Sequence, residues 1–338
     1  MSTIRDVAKM AQVSTATVSR VLNHDPRYKI TEETKNRVLA AVKALDYKLQ
    51  PRATHSRTST PLDPSHAKIG CILSITKGKY NDPYFMSVLS GVESQLQSKG
   101  YALSFICTEN KLGDHTSLVS TFDSNVSGLI IMETLEDEVY EYIRSKVPCI
   151  VGIDTLRADI DNVAYDHHQV GTQATQHLIN LGHTKIGFIG GSGESGQIPL
   201  SRRYQGYSIA MQAAGLPITP DWVIDCRWDE DICAQKLREL CKNDNLPTAF
   251  FAASDLMAIS AISTFEENRI AVPDRVAVIG MSDIEIARFT VPPLTTLRVP
   301  KEELGMVAAN LLIERLGGST LPPQKVTLPS KLIKRGTT

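Results

Sequence analysis

The sequence predicts a small all-α helix-turn-helix headpiece followed by a larger α/β core of parallel sheets covered on both faces. Three observations carry this. Apolar residues near the N-terminus recur at helical spacing on either side of a short turn. Residues 50–66, QPRATHSRTSTPLDPSH, are rich in Pro, Ser and Thr and nearly empty of apolar groups, which marks a linker. From residue 67 onward, unbroken apolar runs alternate with amphipathic segments, as strands buried on both faces alternate with covering helices. At 338 residues the chain is too long for one small core and long enough for two or three lobes.

In the headpiece, Ile4, Val7, Ala8 and Ala11 form one helical stripe, and Val13 breaks into a turn that ends at Ser14. Ser14 is a good N-cap for a second helix, whose buried stripe is Val18, Val21 and Leu22. Thr15, Ala16, Ser19, Arg20 and Asn23 are left on the outer face. Small residues at a helix start let the backbone sit deep in a DNA major groove, and the Arg20 fork suits guanine O6 and N7. A third helix follows, capped by Thr31, with Glu32 and Glu33 in its first turn and Val38, Leu39, Val42 and Leu45 covering the pair. Charge agrees: the whole chain carries −1, but residues 1–58 hold 11 Lys/Arg against five acids. A basic lobe on a mildly acidic body is what phosphate contact needs.

In the core, the expected strands are 67–75, 101–107, 128–132, 148–154, 185–191, 249–254 and 275–282. Expected helices at 84–98, 169–181, 202–213, 231–242, 255–268 and 301–315 separate most of them. Ligands of open parallel sheets bind at the carboxyl ends of strands, so the residues just after each run are the candidates. After the first strand come Asp82, Tyr84 and Phe85, an acid beside two aromatic faces; Asp82 reads equally as a ligand acceptor or as the cap of the helix starting at Pro83. Asp154 ends another run, where a charge after apolar residues faces a cleft or caps a helix. Ser254 and Asp255, and Ser282 and Asp283, close two more.

Several function classes are disfavoured. No apolar run approaches the ~20 residues of a membrane span, and the N-terminus lacks a signal-peptide pattern, which argues against a secreted solute-binding module. Six cysteines without a C-x-x-C pair read as reduced core residues of a cytoplasmic protein. His167, His168, His177 and His183 fit no zinc template and read as surface or helix-end histidines, so no metal is expected. GSGESG at 191–196 is literally G-x-G-x-x-G after a strand, but a dinucleotide site needs the third glycine to enter a helix. Here the loop runs on through Gln197 and Pro199. No Ser-His-Asp or paired-carboxylate arrangement stands out, and neither an enzyme nor a cofactor is expected.

The strings DVAKMAQVSTATVSRVLN and TEETKNRVLAAVKALDY resemble the headpiece of the lactose/galactose-repressor (LacI/GalR) family, and residues 67–338 resemble its effector-binding core. The resemblance implies an α/β core of two doubly wound parallel-sheet lobes, periplasmic-binding-protein-like, crossed three times by the chain. By register, the headpiece is 1–49, the linker 50–66, lobe one about 67–165 plus 298–327, and lobe two about 166–297 plus 328–338. DNA contacts are then expected from Thr3, Ser14, Thr15, Ala16, Thr17, Ser19, Arg20, Asn23, Tyr47 and Arg52. Effector contacts are expected from Asp82, Tyr84, Phe85, Asp154, Arg203, Trp228, Ser254, Asp255, Ser282 and Asp283. Arg203 with Gly206 and Tyr207 fits the family's R-x-x-G-Y/F, and Trp228 aligns with an aromatic that stacks on the sugar, although a core tryptophan is the competing reading.

Two departures stand out. Ser282 occupies a place where many sugar-binding relatives carry Asp or Asn, and Ser56 stands where the hinge helix usually inserts a leucine into the minor groove. No leucine heptad follows LPSKLIKRGTT, so a homodimer on operator DNA is expected. NDPYF, SRRYQGY and PPLTT look most like repressors of galactose or galactoside operons. Another sugar, or a purine or nucleoside, remains the alternative effector, with aromatics at only 6%.

Overall fold

The structure is a computed structural model that describes residues 4–22, 31–45, 64–74, 82–108, 112, 115–122, 125–192, 196–242 and 246–338. Two compact units divide the chain, Met1–Thr60 and Pro61–Thr338. In the first, α1 (Ile4–Ala11), α2 (Thr15–Leu22) and α3 (Glu32–Ala44) close on a core of Val7, Ala8, Ala11, Val18, Val21, Val38 and Ala41. Gln12 turns the chain at φ 54°, and Ser14 Oγ accepts from the N–H of Thr17 at 3.1 Å, the capping bond that its side chain predicts. Leu39 is a correction: it is 50% exposed, and Ala41 takes the buried place on α3.

The second unit holds two six-stranded sheets. The first is formed by β1 (Ile69–Leu73), β2 (Leu103–Thr108), β3 (Gly128–Met132), β4 (Cys149–Ile153), β5 (Asp161–Tyr165) and β11 (Lys325–Leu328). They lie in the order β2-β1-β3-β4-β5-β11 and all pair in parallel. The second contains β6 (Ile186–Gly190), β7 (Val223–Asp225), β8 (Ala249–Ala252), β9 (Ala277–Ser282), β10 (Thr295–Arg298) and β12 (Lys331–Ile333). Its order is β7-β6-β8-β9-β10-β12, with only β12 antiparallel to its neighbour. The chain passes between the sheets after Tyr165, after Arg298 and between Leu328 and Lys331. Arg298 and Leu328 thus each sit across the expected lobe limit, because β10 and β11 run to those residues.

Helices α4 (Pro83–Ser98), α5 (His115–Phe122), α6 (Asp137–Lys146), α7 (His167–Asn180), α8 (Arg202–Ala213), α9 (Glu230–Cys241), α10 (Asp255–Glu267) and α11 (Lys301–Leu316) cover the sheets. Strands β1, β3, β4, β6 and β8 are buried along their whole length, which is why they read as apolar runs. Among the described residues, no helix is long and apolar enough to cross a membrane.

Candidate functional site

Between the two sheets of the second unit lies a cleft of about 1280 Å³. Its walls are strand ends. Ser74, Glu133, Thr134 and Asp154 follow β1, β3 and β4, while Gly191, Ser192, Asp225, Ala253, Ser254 and Ser282 follow or close β6, β7, β8 and β9. This is where parallel topology leaves strand ends free to meet a ligand. Glu133, Asp154, Arg227, Trp228 and Ser282 line the cleft with positive φ (67°, 57°, 49°, 58° and 121°), backbone strain concentrated on the ligand-facing turns.

The expected effector residues divide into three groups. Tyr84, Phe85, Asp82, Asp154, Arg203, Trp228, Ser254 and Ser282 all line the cleft. Asp82 also caps α4, accepting from the Tyr84 N–H at 2.9 Å, so the cap reading holds at a cleft position. Ser254 likewise caps α10, accepting from the Met257 N–H at 3.2 Å. Asp255 reaches the wall, but both its oxygens are engaged, by the Thr296 hydroxyl at 2.6 Å and the Ile284 N–H at 2.8 Å. Asp283 corrects the expectation, since it is not among the lining residues. Arg335 and Arg298 hold its carboxylate at 2.6 and 2.7 Å and keep it below the ordinary carboxylate range despite its burial.

Arg203 is the polar centre. Its Nη2 donates to the Tyr165 hydroxyl at 2.6 Å, and its guanidinium stands 5.0 Å from the Trp228 ring. Its Nε is buried without a hydrogen-bond partner among the described residues, a donor left over for a ligand acceptor. Trp228 is half-buried at the cleft, packed closely against Gly191, where a Cβ would come within 2.5 Å of the indole. That close approach accounts for the first glycine of GSGESG. The third, Gly196, turns at φ 63° and opens no helix, because a short 3-10 turn at Ile198–Leu200 precedes α8. The dinucleotide geometry is therefore absent from the described residues.

Sequence reasoning missed Tyr165; of its two readings of His167, surface or helix end, the second holds, since His167 opens α7. His167 is 5% exposed, not a surface histidine, with Nε2 2.7 Å from Asp154 Oδ1. Burial, outweighing the pull of Asp154, lowers its pKa to about 4 and keeps it neutral. The signal was available: DNVAYDHH carries polar residues straight out of a strand end. Among the described residues no group of His, Cys, Asp and Glu could hold a metal ion.

Two cleft groups titrate in opposite senses. Burial raises the pKa of Asp255 from 3.8 to about 6. A raised carboxyl favours the fold while protonated, so its contribution is lost as pH rises from about 4 to 6. His167 is lowered, so its contribution is lost as pH falls below 6.5. Asp255→Asn should therefore remove a destabilisation on the order of 3 kcal/mol that wild type acquires between pH 4 and 7. Chemical denaturation of both proteins across that range measures it; parallel stability profiles would sink the assignment.

On the headpiece, Ser14 and Thr15 are exposed at the start of α2 and Thr17 is half-buried, its hydroxyl 2.9 Å from Ser14 Oγ. Ala16, Ser19 and Arg20 lie within α2, but their side chains fall outside the described ones, as do residues Thr3, Asn23, Tyr47, Arg52 and Ser56 altogether.

A helix-turn-helix unit and, in the same chain, a two-sheet unit with a strained polar cleft define the class of DNA-binding regulators with a small-molecule site. The family model of bacterial regulatory proteins, lacI family, matches residues 3–50, and that of the periplasmic binding protein-like domain matches 175–338. The HTH-type transcriptional repressor PurR of Haemophilus influenzae (strain PittEE) is 35% identical over 322 residues, covering 94% of this chain and 91% of that protein. PurR of Actinobacillus pleuropneumoniae serotype 5b is 32% identical and covers 99% and 98%. A solved transcriptional regulator CelR–cellobiose complex superposes with TM-score 0.72 at 27% identity over the whole of both chains. The lac repressor dimer bound to operator, 23% identical over 99% and 98% of the chains with TM-score 0.68, shares the fold. The chain belongs to the LacI family and is a DNA-binding transcriptional repressor with a small-molecule effector cleft.

Proposed function

We propose that the repressor acts as a homodimer and is released from its operator by an unphosphorylated sugar, with a galactoside the first to try. The observation that carries this is the spare buried Nε–H of Arg203, a residue that lines the cleft together with several carboxylates. Sugar hydroxyls both accept and donate, so one ligand satisfies Arg203 and the carboxylates together. The acids Asp82, Glu133, Glu136, Asp225 and Glu230 line the cleft beside Arg202, Arg203 and Arg227, a balance that opposes a phosphate. A sugar that closes the lobes shifts headpiece spacing, and a coupling of ~1–3 kcal/mol lowers operator affinity roughly 5- to 150-fold. Release, rather than corepression, is the sign that the resemblance to galactoside-responsive repressors suggests.

A purine effector is the second reading, favoured by the relatives named PurR. The pair Tyr84 and Phe85 argues for the sugar: their rings meet edge-on at 81°, an arrangement that offers no slot for a flat base between them. Operator binding at fixed salt, titrated with D-galactose, lactose, cellobiose, D-ribose, guanine and hypoxanthine, separates the readings. Release by a purine alone would overturn the sugar assignment. Arg203→Ala should abolish release by whichever compound works. Arg20→Ala should cost ~1–3 kcal/mol of operator affinity and relax specificity at one base per half-site, whereas a uniform loss on all sequences would make Arg20 a phosphate contact.

A further inference from the structure

The first passage between the lobes is built from polar side chains that each reach back across it. Tyr165 ends β5 in the first sheet, yet its hydroxyl accepts from Arg203 on α8, over the second sheet, at 2.6 Å. His167 begins α7, over the second sheet, yet its Nε2 lies 2.7 Å from Asp154 Oδ1 at the end of β4. The Tyr84 hydroxyl, from α4, donates to the other oxygen of Asp154 at 3.3 Å. The rings of Tyr165 and His167 stack with centroids 4.0 Å apart and 28° between planes.

These groups are costly to place here. Asp154 is 2% exposed and Tyr165 1% exposed, and Asp154 holds a left-handed φ of 57°. Apolar residues of the same volume would pack this passage without desolvating a carboxylate. Buried polar networks earn their place when they fix geometry. What this one fixes is the guanidinium of Arg203, because the Tyr165 hydroxyl occupies Nη2 while Nε stays unpartnered at the cleft.

We propose that Tyr165 is the positioning residue for Arg203, and that the Tyr84–Asp154–His167 chain holds the Tyr165 ring by stacking. A ligand atom on Nε and the Tyr165 oxygen on Nη2 then share one rigid fork, so cleft occupancy and the placement of the first passage are one equilibrium. The proposal rests on the effector cleft above but not on which ligand fills it.

Tyr165→Phe removes only the hydroxyl and keeps the ring on His167. It should retain a cooperative melting transition and raise the concentration of releasing compound needed for half-release by about tenfold, the scale of one charge-assisted hydrogen bond. Combined with Arg203→Lys, which keeps the charge and part of the response but loses the fork, it should add nothing further, whereas additive losses would make Tyr165 an independent ligand contact and overturn the proposal. Asp154→Asn, which keeps an acceptor for His167 or Tyr84, should show a smaller shift than Tyr165→Phe. An unchanged half-release concentration in Tyr165→Phe overturns the proposal as well.

A second measurement needs no ligand. In a Trp222→Phe background, emission comes from Trp228, beside the Arg203 guanidinium. Tyr165→Phe should shift that emission, and an unshifted spectrum counts against the assignment. If no compound of the sugar and purine panel releases wild type, the ligand reading fails and the emission measurement alone decides this one.

Discussion

Arg315→Ala should destabilise the protein by about 3–5 kcal/mol, the usual cost of leaving a buried charge without its partner. Arg315, near the end of α11, grips Asp161 through two parallel bonds, Nε to Oδ2 at 2.6 Å and Nη2 to Oδ1 at 2.7 Å. The Asp161 side chain is 1% exposed. The same guanidinium donates to the carbonyls of Ser319, Leu321 and Pro322, while the Gln324 N–H adds a bond to Asp161 at 2.7 Å. One side chain thus ties the end of α11 to the start of β5 and to the segment entering β11. Burial alone would raise the Asp161 pKa, but the Arg315 and Gln324 bonds bring it below 3.8. A lowered carboxyl stabilises the fold above its ordinary pKa and loses that contribution as pH falls through the depressed value. Urea denaturation at neutral pH measures the loss, and the double substitution Asp161→Asn with Arg315→Met should recover part of it. A cost below about 1 kcal/mol would mean that water replaces the guanidinium and the pair is ornamental.

The legible part of the fold is the part whose burial is apolar. Strands such as AFFA and IGFIG are buried at every position, so apolar runs expose them directly. Strand β10 escaped because its buried positions include Thr295 and Thr296, which bury by hydrogen bonding to Arg335 and Asp255 instead of by hydrophobicity. Short strands β7 and β11 lie at sheet edges, where half-buried residues weaken the pattern. Helices α5 and α6 were passed over too, the second because DEVYEYIRSK is mostly charged outside Tyr140 and Ile143. At the cleft, residues at strand ends were readable from topology alone. The groups holding them were not, since Tyr165 and Arg203 are 38 positions apart and meet only in the fold. Asp283 misled for the same reason: its partners are Arg298, 15 positions on at the end of β10, and Arg335, 52 positions on and past the end of β12.

Gly206→Ala should cost both stability and effector response, and the comparison with Gly305→Ala tells which loss is specific. Gly206 on α8 faces Gly171 on α7, and a Cβ at Gly206 would stand 2.2 Å from the His168 carbonyl oxygen and 2.9 Å from the Thr172 nitrogen. In the first lobe, Gly91 on α4 and Gly305 on α11 repeat the arrangement, with Cβ positions 2.0 Å from the Glu302 and Val88 carbonyls. Alanine gains up to ~1 kcal/mol of helix propensity over glycine. Every close atom it meets is backbone, however, so no side chain can rotate away and the helices must part; such overpacking costs ~1–3 kcal/mol or more. Sterics win at both sites. The difference lies in what the displaced helix carries: α8 bears Arg203 three residues before Gly206, so pushing it off α7 pulls the guanidinium from Tyr165 and the cleft. Helix α11 itself lines no part of the cleft, and α4, which it would be pushed from, presents Tyr84 and Phe85 there only at its first turn, so Gly305→Ala should lower the melting temperature comparably while moving the half-release concentration less. Equal shifts in both variants would mean that general loosening, not the seating of α8, controls the response, and the R-x-x-G spacing would lose its physical reason.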